Sequence, residues 1–162
     1  MVNMMNTRRR LASAGLLAGL ICALSVTALS GARAADPNQH PHYLHAQSDL
    51  RFARGWLTAL GENNVMGREM DGVANIDKAI HEINRADIDD GKDIHDHPPI
   101  DTSVKHKGRL HKALDLLQSS KKDLEFNEDD KAALGWRKAA LKHVQDAIKA
   151  VHGAINDVKN DS

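Results

Sequence analysis

Apolar residues recur every three or four positions through most of the chain beyond residue 40. Tyr43, Ala46, Leu50, Ala53, Leu57 and Leu60 are spaced alternately by three and four, which places them on one stripe of a helix. This predicts a first helix over residues 41–60, opened by Pro41, whose missing N–H is not needed in a first turn, and closed by Gly61-Glu62-Asn63-Asn64. A second helix, over residues 65–88, carries Val73, Ile76, Ile80 and Ile83, with Gly91 as its stop. A third, over residues 103–124, carries Leu110, Leu114, Leu117 and Leu124. The last, over residues 128–158, follows a heptad seam from Leu134 and Leu141 through Val144, Ile148, Val151 and Ile155 to Val158. Asn127 is its expected N-cap, with Glu128, Asp129 and Asp130 in the first turn, where acids meet the positive end of the helix dipole. No segment alternates as a strand does.

Four helices with one apolar stripe each, and two short connections, predict an all-α fold: an antiparallel up-down-up-down four-helix bundle. The halves look related. Leu44-His45-Ala46-Gln47-Ser48-Asp49-Leu50 matches Leu110-His111-Lys112-Ala113-Leu114-Asp115-Leu116, and Ile76, Ala79, Ile80 and Ile83 match Val144, Ala147, Ile148 and Val151, as a duplicated hairpin would. The connection over residues 89–102 is different, too long for a plain turn and dense in acids and histidine, as functional loops often are. It is not an EF-hand: with Gly91 at the required glycine, Ala86 and Ile88 fall where carboxylates belong and His97 falls where the bidentate Glu belongs.

Residues 1–34 change the setting. Arg8, Arg9 and Arg10 precede an apolar run from Leu11 to Leu29, and Ala32-Arg33-Ala34 forms a small-x-small cleavage site. The expectation is a cleavable signal peptide and a single mature domain over residues 35–162 in the periplasm or secreted, with no membrane attachment after cleavage. Thr7-Arg8-Arg9-Arg10-Leu11 fits twin-arginine export and the general layout fits the Sec route. The lone Cys22 lies inside the signal, so the mature domain has no thiol, which excludes disulfides, c-type haem attachment and Fe–S clusters. Removing Arg8, Arg9, Arg10 and Arg33 and no acid takes the balance from 22 bases against 22 acids to 18 against 22. A mildly acidic domain with few aromatics does not suit nucleic acid.

All ten histidines belong to the mature part. Up-down-up-down connectivity would gather all but His143 at one pole. Imidazole is the commonest metal-binding side chain, and helix positions i and i+4 lie about one turn apart, close enough to chelate one ion. Such pairs are His45 with Asp49, Asp77 with His81, and His111 with Asp115; His42 adds an i,i+3 partner to His45, and His95-Asp96-His97 adds donors from the loop. The expected shell is His42, His45 and His111, with Asp49 or Asp115 and the loop completing it. Imidazole and carboxylate without thiolate suit Zn, Cu(II) or Ni(II). Each of these residues also sits beside an apolar stripe, where histidine and aspartate serve as half-buried polar edges.

The Glu-x-x-His pairs of di-iron bundles are absent, and no nucleophile with an oriented base stands out, so the expectation is a binding protein and not an enzyme. Met66 and Met70 read as core filler, and Trp56 and Trp136 as bundle packing. The histidine-rich, cysteine-free helices resemble small exported metal-binding four-helix proteins of Gram-negative bacteria, which implies buffering of Cu, Ni or Zn and supports His45, His81 and His111 as ligands. Asp89-Asp90-Gly91-Lys92 with Asp96-His97-Pro98-Pro99 resembles a recurring segment of exported bacterial proteins and implies no particular function. The rival reading is a metal-independent interaction or chaperone-like bundle offering an apolar surface to a protein partner.

Overall fold

A computed structural model describes residues 40–61, 67–86, 90–126 and 133–160. These contain four helices, α1 (Pro41–Thr58), α2 (Arg68–Arg85), α3 (His106–Glu125) and α4 (Leu134–Asn160), and no strand. Each overlaps the stretch whose periodicity predicts it. The largest trim at the end of α1 is at Leu60, which is 54% exposed beyond the last turn instead of continuing the stripe. The expected signal at 1–34, the Glu62-Asn63-Asn64 stop, Asp89 and the Asn127 cap with its three acids lie outside the described residues. All four helices belong to one compact unit, Arg33–Ser162. Among the described residues no helix is long and apolar enough to cross a membrane.

The stripes meet as their spacing requires. Leu50, Ile76, Leu117 and Val144, one from each helix, are fully buried in a single apolar cluster. Small residues bring α2 and α4 close: a Cβ on Gly72 would lie 3.3 Å from Val151 Cγ2, and one on Gly153 would meet the Arg68 side chain. Helix α1 packs chiefly on α3, α2 chiefly on α4, and the two hairpins α1–α2 and α3–α4 close the ring.

The directions of the helices differ from up-down-up-down. His45 near the start of α1 meets Asp123 in the last turn of α3, so those two helices are antiparallel. Arg68 at the start of α2 pairs with Asp157 near the end of α4, and Arg85 at the end of α2 lies over Trp136 near the start of α4. His106, opening α3, bonds to Glu69, opening α2. Helices α2 and α3 therefore start at the same end and run parallel, giving up-down-down-up.

The physical reason is the connection between them. An 18-residue α2 is about 27 Å long, and the segment from 90 to 105 travels back along that length instead of turning at the end. It is docked on α1. Arg51, 2% exposed, forms a two-pronged ion pair with Asp90, with Arg51 Nη1 donating to Asp90 Oδ1 at 3.1 Å. Further on, the His97 ring rests on Gly55, where a Cβ would come within 2.6 Å of it, and lies near-parallel to Phe52. Ile94, Ile100 and Val104 pack against the apolar cluster. The acid-rich loop is thus a structural strap: Asp90 answers Arg51 on α1, while Asp93 and Asp101 accept hydrogen bonds from His95 and Ser103 within the strap itself.

Because α1 is covered by α2, α3 and the strap, it buries polar residues as well as its stripe. Gln47 donates to Asn84 Oδ1 at 2.5 Å, and Arg54 Nε donates to Asp77 Oδ1 at 2.9 Å. Buried charges of this kind are costly unless paired.

Two outcomes follow for stability. Asp90→Ala, which strands the Arg51 guanidinium, should lower unfolding free energy by about 3–5 kcal/mol in urea titration; a loss below 1 kcal/mol would mean that the pair is not holding the strap. Gly55→Ala should destabilise by about 1–2 kcal/mol as the new methyl displaces His97. In a His97→Ala background the same change should become neutral or stabilising, by up to about 1 kcal/mol, from helix propensity.

Candidate metal centre

His42, His45 and Asp49 are spaced so that all three lie on one side of α1, within its first two turns or so. The antiparallel packing sets the last turn of α3 against that side. There Asp123 receives two imidazoles: His45 Nδ1 is 2.6 Å from Oδ2 and His42 Nδ1 is 3.4 Å from Oδ1. Ligand atoms of His45, Asp49 and Asp123 all lie within 4.8 Å of one another. Phe126, just past the end of α3, stacks on the His42 ring at 3.9 Å between centroids.

Two features mark the cluster as under-neutralised. Asp49 Oδ2 is shielded from solvent and has no hydrogen-bond donor, an arrangement that costs free energy in an acceptor-only carboxylate. Asp123 stands in the last turn of a helix, where the negative end of the dipole opposes a carboxylate. Both call for a positive charge between them. His45 supplies one by protonation: its hydrogen bond to Asp123, then the nearby charges of Asp49 and Asp123, raise its pKa above 6.5, while partial burial works the other way.

The other expected ligands go elsewhere. His111 is on α3 twelve residues before Asp123, which is about 18 Å along the axis, so it cannot share an ion with His42 and His45. His111 and Asp115 are both exposed. The apparent repeat explains the error. The buried positions Tyr43, Ala46, Leu50 and Leu57 correspond to Leu110, Ala113, Leu117 and Leu124, one residue out of step with the His-x-x-x-Asp match. One residue is about 100° around a helix, and the places equivalent to His45 and Asp49 on α3 are held by Lys112 and Leu116.

His81 is exposed on α2, and its partner Asp77 has turned to Arg54. His95 Nδ1 pairs with Asp93 at 2.7 Å, and His97 Nδ1 donates to the Pro98 carbonyl at 2.8 Å; both belong to the strap along α1. The single histidine pole is split by the parallel course of α3, with His42, His45 and His81 toward one end and His106, His111 and His152 toward the other. Met70 is 60% exposed and fills no core. Trp136 is half-buried beneath the Arg85 guanidinium, 3.9 Å from its ring. Asp123 was missed because its partners are 78 and 81 positions away and it has no histidine one turn along α3.

Among the described residues the exposed large apolar side chains do not form one face: Leu60 and Met70 lie toward the joint of α1 and α2, and Phe126 at the opposite end of α3. Searches of protein-family descriptions, curated proteins and solved structures return no match to this chain.

The protonated His45–Asp123 pair contributes stability below the unfolded-state pKa of His45, and that contribution is lost as pH rises through the raised folded-state value. NMR titration should place the His45 midpoint above 6.5 and return it toward that value in Asp123→Asn. A midpoint indifferent to the substitution would show that Asp123 does not hold the proton.

Proposed function

We propose that this chain is an exported helical protein that binds a divalent transition metal, Cu(II), Zn or Ni, at the joint of α1 and α3, for buffering or resistance. The observation that carries the reading is the convergence of His45, Asp49 and Asp123, with Asp49 Oδ2 buried and lacking a donor. A divalent cation would satisfy that oxygen, offset the Asp123 carboxylate at its unfavourable helix end, and take the place of the His45 proton. Nitrogen and carboxylate donors without sulfur suit these ions over Cu(I). The export part rests on the arginine, apolar and small-x-small sequence of residues 1–34.

The role is binding of the ion, not catalysis. The ion would cross-link α1 to α3, so occupancy stabilises the bundle by about 2.7 kcal/mol when free metal is a hundredfold above its dissociation constant.

Calorimetric titration with Zn, Cu(II) and Ni at neutral pH tests this. His45→Ala and Asp123→Asn should each weaken binding by at least about tenfold, whereas His111→Ala, remote from the cluster, should leave it unchanged. Since protons compete for His45, affinity should begin to fall above 6.5 as pH is lowered. Binding weaker than about millimolar, or binding left unchanged by both His45→Ala and Asp123→Asn, would remove the metal reading in favour of the metal-independent interaction bundle.

A further inference from the structure

The three converging ligands leave a shell short by at least one donor, since structural sites for zinc hold four. His42 is the nearest further nitrogen. Its contact with Asp123, at 3.4 Å, is longer than an ordinary N–H···O bond. It is close to the separation of about 3.3 Å between two ligand atoms bound at 2.0–2.1 Å on a tetrahedral ion. Yet His42 stands outside the group whose ligand atoms are mutually within 4.8 Å. What occupies its ring instead is Phe126, stacked at 3.9 Å and 24° between planes.

We propose that His42 is the closing ligand of the α1–α3 metal site and that Phe126 sets its affinity by holding the His42 imidazole in the open position. This rests on the metal-binding reading above. In the open state the ring is divided between Phe126 and Asp123 Oδ1. On metal entry the imidazole rotates toward His45 and Asp49, leaves the Phe126 face and completes a shell of two nitrogens and two carboxylates.

Phe126 is suited to this role. It is 56% exposed, so it contributes little to the core, and its backbone is tied down by its N–H donating to the Asp123 carbonyl at 3.2 Å and its carbonyl accepting from Arg137 at 3.1 Å. The ring is therefore held beside the site by bonds that its own substitution leaves in place. A stacked aromatic pair favours the open state, so its removal should tighten metal binding by between about twofold and tenfold.

The test is zinc affinity of the full chain and of His42→Ala, Phe126→Leu and the double variant, with nitrogen NMR of the histidine rings. The expected result is a loss of about tenfold or more for His42→Ala, a gain for Phe126→Leu, and no effect of Phe126→Leu once His42 is gone. A zinc-induced shift of a His42 ring nitrogen should accompany binding. If zinc binding depends on His45 but His42→Ala binds equally well, or if Phe126→Leu acts the same without His42, this proposal is overturned and the three-ligand site stands. If His45→Ala itself has no effect on zinc affinity, the metal reading fails, and this one with it.

Discussion

The Arg51 guanidinium is buried on α1 with Asp90 held against it, and the course of the strap depends on that pairing. A charged group so enclosed is tolerable only with its counter-ion, so residue 90 is pinned to the middle of α1. From there the chain continues past Gly55, where the absence of a side chain makes room for His97. The strap is thereby committed to running the length of the bundle before α3 begins. The direction of α3 follows, and with it the placing of Asp123 beside His42 and His45.

The apolar stripes alone do not choose between bundle topologies. A stripe of Leu, Ile, Val and Ala packs in either direction, because area removed from water has no sense of orientation. The polar pairs do choose. Gln47 with Asn84, Arg51 with Asp90 and Arg54 with Asp77 join α1 to α2 and the strap at particular heights, and Arg68 with Asp157 does the same for α2 and α4. Reversing α1 would separate the first three pairs and leave Arg51 uncompensated in the interior, and reversing α4 would separate Arg68 from Asp157. Arg85 over Trp136 adds a contact at the opposite end of the same α2–α4 pair.

The candidate metal centre inherits its character from this arrangement. Packing the start of α1 against the end of α3 brings two opposite helix-dipole ends together. Asp123 lies against the preference of its own helix, and the imidazoles that face it come from the end of α1 that disfavours added positive charge. Neither helix would choose these residues for its own stability. Their mutual placement makes a cation-attracting joint, to which Asp49 adds a carboxylate oxygen without a donor. An ion bound there would tie α1 to α3 and so would couple its occupancy to the stability of the bundle.

Periodicity determined the four helices and most of their buried faces: Leu50, Ile76, Ile83, Leu117, Val144 and Val151 are all in the core, where their spacing puts them. It also placed His42, His45 and Asp49 on one side of one helix, because neighbours within two turns are governed by local geometry. It could not reveal that His111 and Asp115 are rotated to solvent, since a one-residue slip in register leaves a leucine-rich pattern looking much the same. The tertiary structure alone decided the direction of α3 and the splitting of the histidines between two ends. It alone supplied Asp123, 78 positions from His45. The reason is that helix direction was set by a strap docked through a buried ion pair, and the attraction between Arg51 and Asp90 acts across 39 positions of sequence in which no periodic signal links them.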